Sequence, residues 1–275
     1  MTVVAPTRLP RTARDLVLGP VLLSATANVI MELSLPPVGH GVRESRVTSG
    51  NLFEHPVHRF RTTNTYLGVA LLGTGDDRRA YRRAVGRSHA RVVSTAESPV
   101  AYRATDRDLQ LWVAACLYRA FEDTWGLLVG EPGMRLPDDV YRECAALGTT
   151  LQVRPEQWPA DRDAFDEYWA AGLADVAIDD RMRAYFGRLL DREYLGPAGR
   201  IGAARHRWYT TGFLHEPFRS MLGLPWSDDD RRAFEQRMRR TGAMLFRLPP
   251  AVRRLPYNAC LTDMRVRRRL GRPLV

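Results

Sequence analysis

From Leu109 to Ala120 the chain is apolar on both sides of a helix, and this stretch constrains the fold more than any other. Leu109, Trp112, Val113, Cys116 and Ala120 recur at helical spacing, with Leu111, Ala115 and Tyr118 on the other side. A helix apolar nearly all round must be covered on every face, so it is the central element of a helical protein. Thr105, with Asp108 three residues on, gives it a start like a capping box. The helical period governs the rest of the chain as well, and no segment alternates as a strand would.

Further helices are predicted from Arg59 to Leu72, ending at Gly73 or Gly75, and from Asp76 and Asp77 onward with Tyr81, Val85, His89 and Val92 on one face. Others are predicted over 137–148, 161–175, 179–192 and 203–221. One more follows Ser227, with Phe234, Met238 and Leu245 inward. Pro36–Gly41 reads as a turn or loop. The expectation is an all-α protein, a single helical domain over residues 1–248 followed by an arginine-rich tail over 249–275.

Near the N-terminus, Arg8, Arg11 and Arg14 precede the apolar stretch Leu16–Leu35 in the manner of a signal peptide. Asn28 and Glu32 interrupt that stretch and Pro20 sits early in it, so it reads as a buried helix, with a membrane anchor as the other reading. Cys116, Cys144 and Cys260 are odd in number and widely spaced. They read as reduced thiols of a cytoplasmic protein, not as a disulfide framework or a zinc site.

All 41 basic residues are arginine. The absence of lysine excludes Schiff-base, P-loop and lysine general-base chemistry. The net charge of +10 is uneven: from Arg231 to Val275 thirteen arginines face only Glu235 and Asp263, whereas the preceding 230 residues are close to neutral. The body therefore carries no nucleic-acid surface. Arg265, Arg267, Arg268 and Arg269 form a basic run for which a solvated terminus is preferred to weak contact with a membrane surface or RNA.

His89 stands out among six histidines because it lies on an apolar helical face. A neutral imidazole there suits an axial ligand to haem iron, and a core histidine bonded to a carbonyl is the more common outcome of the pattern. Arg59 and Thr63 are four apart and share a helical face, where they supply a fixed charge and a hydroxyl donor to a reactive centre. Without context, an exposed arginine and an indifferent threonine are the more common outcome of this spacing. His55 and His58 lack a third ligand at metal-site spacing, and Pro56 breaks the helix between them.

The segment His55-Pro56 … Arg59-x-Arg61-Thr62-Thr63-x-x-Tyr66-Leu67, then Gly73-Thr74 and Ser88-His89-Ala90-x-Val92, resembles a family of oxygenases. That family includes the fungal mycophenolic-acid prenyl-chain oxygenase and the latex clearing (rubber oxygenase) proteins. Tyr102-x-Ala104-x-Asp106-x-x-Leu109-x-Leu111-Trp112-Val113, Thr211-Gly212-Phe213-Leu214 and Leu224-Pro225-Trp226 extend the resemblance over roughly residues 20–260. It implies an all-α fold of the rubber-oxygenase catalytic type holding haem b. His89 matches the proximal iron ligand, and Arg59 and Thr63 match the pair beside the haem. The relatives' chemistry is oxygen-dependent cleavage of carbon–carbon double bonds. The chain departs where rubber oxygenases carry a lysine (here Thr62), at Ala114 after Trp112-Val113, and at Pro36-Pro37 in place of His-Pro.

The leading expectation is a haem-dependent oxygenase-like enzyme that uses O2 on a hydrophobic small molecule, terpenoid, prenyl or polyketide-like. Arg59, Thr63, His89 and Trp112 are its cofactor-side residues. A haem-free enzyme of the same fold, working through His40, Glu44 and Arg59 in cyclisation, isomerisation or dehydration, is the second reading. An inert helical body with an RNA- or membrane-binding tail is the third.

Overall fold

The computed structural model describes residues 8–275, which are helical apart from loops and one isolated bridge between Val93 and Arg103. The helices among them are α1 Ala25–Leu33, α2 Pro36–Arg43, α3 Pro56–Leu72, α4 Gly75–His89, α5 Arg107–Val129, α6 Asp138–Cys144, α7 Ala146–Thr149, α8 Arg162–Ala174, α9 Asp180–Leu190, α10 Ala203–Phe213, α11 Glu216–Leu222, α12 Asp228–Leu245, α13 Pro250–Arg253 and α14 Tyr257–Arg269.

Helix α5 is the axis, with sixteen of its 23 residues buried. Its cap is Asp106, one residue later than the capping-box reading. The Asp106 carboxylate accepts from the amides of Asp108 at 2.8 Å and Leu109 at 3.4 Å, satisfying donors the first turn leaves open. Gly130, at φ 87°, ends the helix. Helix α12 crosses α5 at Gly242, where an added Cβ would come within 1.9 Å of the Leu128 carbonyl oxygen. Only glycine permits that approach.

Pro36–Gly41 is not a loop but most of α2. Prolines in a first turn lack amides that have no intrahelical acceptor anyway, so they start the helix rather than break it. The segment 203–221 breaks into α10 and α11 at Leu214 and His215, because Pro217 fits only a first turn. The helix expected over 137–148 is interrupted at Ala145. Leu16–Leu35 is a 3-10 segment, Gly19–Ser24, leading into α1. Among the described residues no single helix is long and apolar enough to cross a membrane. Gly19–Leu33 and Pro36–Arg43 meet the length and composition only as a pair bent by 109°.

Residues 249–275 supply α13 and α14, and α14 lies along α3. Tyr257, Leu261 and Met264 are buried there, each worth about 2 kcal/mol of apolar burial. Arg265 and Arg268 pair with the buried Asp77 at 2.8 and 3.4 Å, and Arg267 with Asp263 at 2.7 Å. Much of the basic run is thus committed to ion pairs within the fold.

Candidate functional site

A cavity of about 1720 Å³ runs between α1, α3, α4, α5, α9 and α10. Pockets for drug-sized ligands usually hold ~300–1,000 Å³, so this one has room for a prosthetic group and a substrate together. Val113, Leu117, Ala120 and Phe121 supply one wall from α5.

Helix α3 opens with Pro56 and brings Arg59 and Thr63, one turn apart, to the cavity. The Arg59 guanidinium makes no ion pair or hydrogen bond among the described residues. Thr62 turns back onto its own helix, donating to the His58 carbonyl at 3.0 Å, and does not border the cavity. Helix α4 starts from the reciprocal cap between Thr74 and Asp77 and ends at His89.

His89 borders the cavity half-buried. Its Nδ1 lies 3.4 Å from the Gln110 amide nitrogen. The Gln110 amide is fixed from both sides: its oxygen accepts from the Gln152 backbone N–H at 2.5 Å, and its nitrogen donates to the Ala104 carbonyl at 2.6 Å. Burial, joined by the Arg59 charge, holds the His89 imidazole down to about 4. It is therefore neutral at physiological pH, with a lone pair available for coordination.

Glu32 faces the same space from α1. Its carboxylate accepts from the Asn28 amide at 2.5 Å, its one hydrogen bond among the described residues. Water inside a deep cavity solvates a carboxylate poorly, and burial pushes Glu32 up to about 7 against the lowering influence of Arg59 and Asn28. A carboxyl so placed exchanges a proton near neutral pH.

The structure thus gathers His89, Arg59 and Thr63 around one cavity. It places Trp112 elsewhere: buried on the far side of α5, stacked on Trp169 at 5.2 Å, with its Nε1 donating to the Glu32 carbonyl at 3.2 Å. Trp112 anchors the backbone of α1 rather than lining the cavity. Glu44 reaches the cavity but is engaged by the hydroxyls of Ser98 at 2.8 Å and Tyr102 at 3.0 Å. His40 is buried on α2 away from the cavity lining, its Nε2 3.0 Å from Asp179 and its Nδ1 3.7 Å from Glu44. The trio His40, Glu44 and Arg59 is therefore not assembled on the cavity.

Glu32 and Gln110 are site residues that pattern reading passed over. Their signal was present, as polar residues on apolar helical faces, with Asn28 and Glu32 spaced four apart. Among the described residues no group of three or more His, Cys, Asp or Glu side chains is arranged to hold a metal ion. A metal here would have one protein ligand, His89, and would take its other ligands from a cofactor. That condition suits haem, and the neutral imidazole on a roomy cavity beside an unpaired cation fits it.

The family model described as "ER-bound oxygenase mpaB/B'/Rubber oxygenase, catalytic domain" matches residues 14–244. The uncharacterized proteins Mb2261 of Mycobacterium bovis and Rv2237 of Mycobacterium tuberculosis are each 45% identical over 262 residues, covering 92% of this chain and 100% of each relative. No solved structure matches the chain.

Proposed function

The chain belongs to the mpaB and rubber-oxygenase catalytic-domain family, and from that premise we propose that it is a haem b-dependent oxygenase acting with O2 on a hydrophobic small molecule. The observation that carries the reading is His89, held neutral on the wall of a 1720 Å³ cavity beside the unpaired Arg59 and the Thr63 hydroxyl. His89 would hold the iron. Haem, when bound, supplies the activation of dioxygen.

The other roles belong to the chain's own residues. Arg59 offers a fixed positive charge and Thr63 a hydroxyl donor to an anionic or oxygen-bearing group. Glu32 holds or releases a proton at its carboxyl oxygens close to neutral pH. Val113, Leu117 and Phe121 exclude water and favour an apolar substrate such as a terpenoid, prenyl or polyketide chain, with oxidation or cleavage at a carbon–carbon double bond as the outcome. We assign the protein to the cytoplasm, in keeping with its three unpaired cysteines.

The visible spectrum of the purified protein tests the cofactor. A Soret band is expected, diminished or shifted in His89→Ala and retained in Glu32→Gln. Absence of the band, with no haem extracted and none taken up on titration, overturns the haem reading. One observation favours a second reading: Glu32, which exchanges a proton near neutral pH on the cavity that Arg59 also lines, is a general acid–base group for haem-free isomerisation or cyclisation, with Arg59 as a fixed charge. Full turnover by iron-free protein without oxygen would select it.

A further inference from the structure

Residues 236–262 contain six arginines and no acid. At their centre Leu248-Pro249-Pro250-Ala251-Val252 is uncharged and exposed at every position, Leu248 at 44% and Val252 at 46%. Leu255, 48% exposed, continues the apolar surface, and Arg247, Arg253 and Arg254 flank it. The N-terminal segment adds to the same face. The Arg8 guanidinium lies 4.3 Å from the Phe246 ring centroid and Arg253 lies 5.8 Å from that ring, with the exposed Leu9 beside Arg8. Asp15, 3.7 Å from Arg254, is the carboxylate paired within this collar.

We propose that this apolar tip inside an arginine collar docks the protein on an anionic phospholipid membrane. Four features of the tip argue for a bilayer surface. First, exposed Leu, Pro and Val side chains gain free energy on entering the boundary between headgroups and acyl chains, while arginines at the same level meet lipid phosphates. Second, most of the tip's backbone groups are already bonded or lack an amide hydrogen. Pro249 and Pro250 have no amide hydrogen, the Pro249 carbonyl accepts from Val252 and Arg253, the Pro250 carbonyl from Arg254, and the Ala251 carbonyl from the Asn258 amide. Third, two consecutive prolines hold the conformation, so little entropy is lost on docking. Fourth, the charge sign discriminates among partners. A two-fold contact with a second copy would set one acid-poor collar against another. The tip also offers no aromatic ring on which a nucleic-acid base could stack.

The basic run at Arg265–Arg269 is not this surface, because Arg265, Arg267 and Arg268 are paired with Asp77 and Asp263. The docking surface does not depend on the haem reading. It does adjoin the cavity, since Tyr257, the first residue of α14, lines the cavity wall.

Flotation of the full chain with vesicles of phosphatidylcholine alone and of phosphatidylcholine with phosphatidylglycerol tests the proposal. Partition onto the mixed vesicles is expected to exceed partition onto the neutral ones by about tenfold and to weaken with salt. Leu248→Asp with Val252→Asp should lower it by about tenfold or more, with unchanged circular dichroism, whereas Val266→Asp with Leu270→Asp, at least as exposed at the C-terminal end of α14, should leave it intact. Leu248→Trp should give a blue-shifted emission on the mixed vesicles, which reads insertion without a disruptive charge. Equal partition onto both vesicle types, no partition, or an unshifted Trp emission overturns the proposal. So does a concentration-dependent dimer that Leu248→Asp dissociates, or RNA retention that needs Arg253 and Arg254 but is indifferent to Leu248 and Val252.

Discussion

Glu122 and Glu32 both lie within the helical body, and their surroundings differ in kind. Glu122, on α5, is surrounded by donors: Arg119 at 2.8 Å, Arg162 at 3.1 Å, the Tyr118 hydroxyl at 2.8 Å and the Leu136 amide at 3.0 Å. Arg162 in turn lies over the rings of Tyr118, Tyr141 and Phe165, between 5.1 and 5.5 Å from each centroid. Burial pushes Glu122 up, and the two guanidiniums restrain it. Glu32 has Asn28 and the more distant charge of Arg59, and it fronts a cavity. A buried carboxylate whose lone pairs are filled by its own chain serves the fold. One left with a single partner beside open volume is available to a ligand.

Three measurements bear on that contrast, in order of expected effect. Glu122→Gln leaves Arg119 and Arg162 with the part-exposed Asp166 as their remaining carboxylate and should cost about 3–5 kcal/mol, read from the midpoint of urea unfolding. A loss under about 1 kcal/mol would place Glu122 among ordinary surface ion pairs. Glu32→Gln should act in the opposite direction, with a pH signature. Below the ordinary carboxylate value both folded and unfolded chains are protonated. Between that value and about 7 only the unfolded chain ionises, so stability falls as pH rises through this window, and the full cost stands above it. The variant should therefore gain about 3 kcal/mol on the alkaline side and nothing in acid. A gain that does not change with pH would break the contrast. Arg59→Gln, the smallest effect, removes the charge that lowers both Glu32 and His89. Both should rise, by up to about one unit, and His89 can be followed by its imidazole resonances. Movement of only one of the two would separate them electrostatically.

Much of this was legible along the chain. The central helix announced itself by being apolar on every side, and His89, Arg59 and Thr63 were marked by face and spacing before any partner was known. Pro36-Pro37 misled, because a proline pair is as compatible with a first helical turn as with a loop, and the hydrogen-bond register decides between them. Asn28 and Glu32 were visible as interruptions of an apolar stretch. That the interruption points into a cavity depends on α3, α4 and α5 arriving from distant parts of the sequence.

What the sequence determined by itself is the helical class, the axial helix and the identity of the groups able to do chemistry, because periodicity and side-chain type are local properties. Tertiary structure alone decided that Trp112 backs α1 instead of lining the site, that Arg254, Arg265 and Arg268 of the tail close onto Asp15 and Asp77, and that the Leu248–Val252 tip is left in water. Each of these depends on which faces meet, and so does the difference between Glu122 and Glu32. The same carboxyl group becomes a structural anchor or a proton carrier according to how many donors the packing brings within reach.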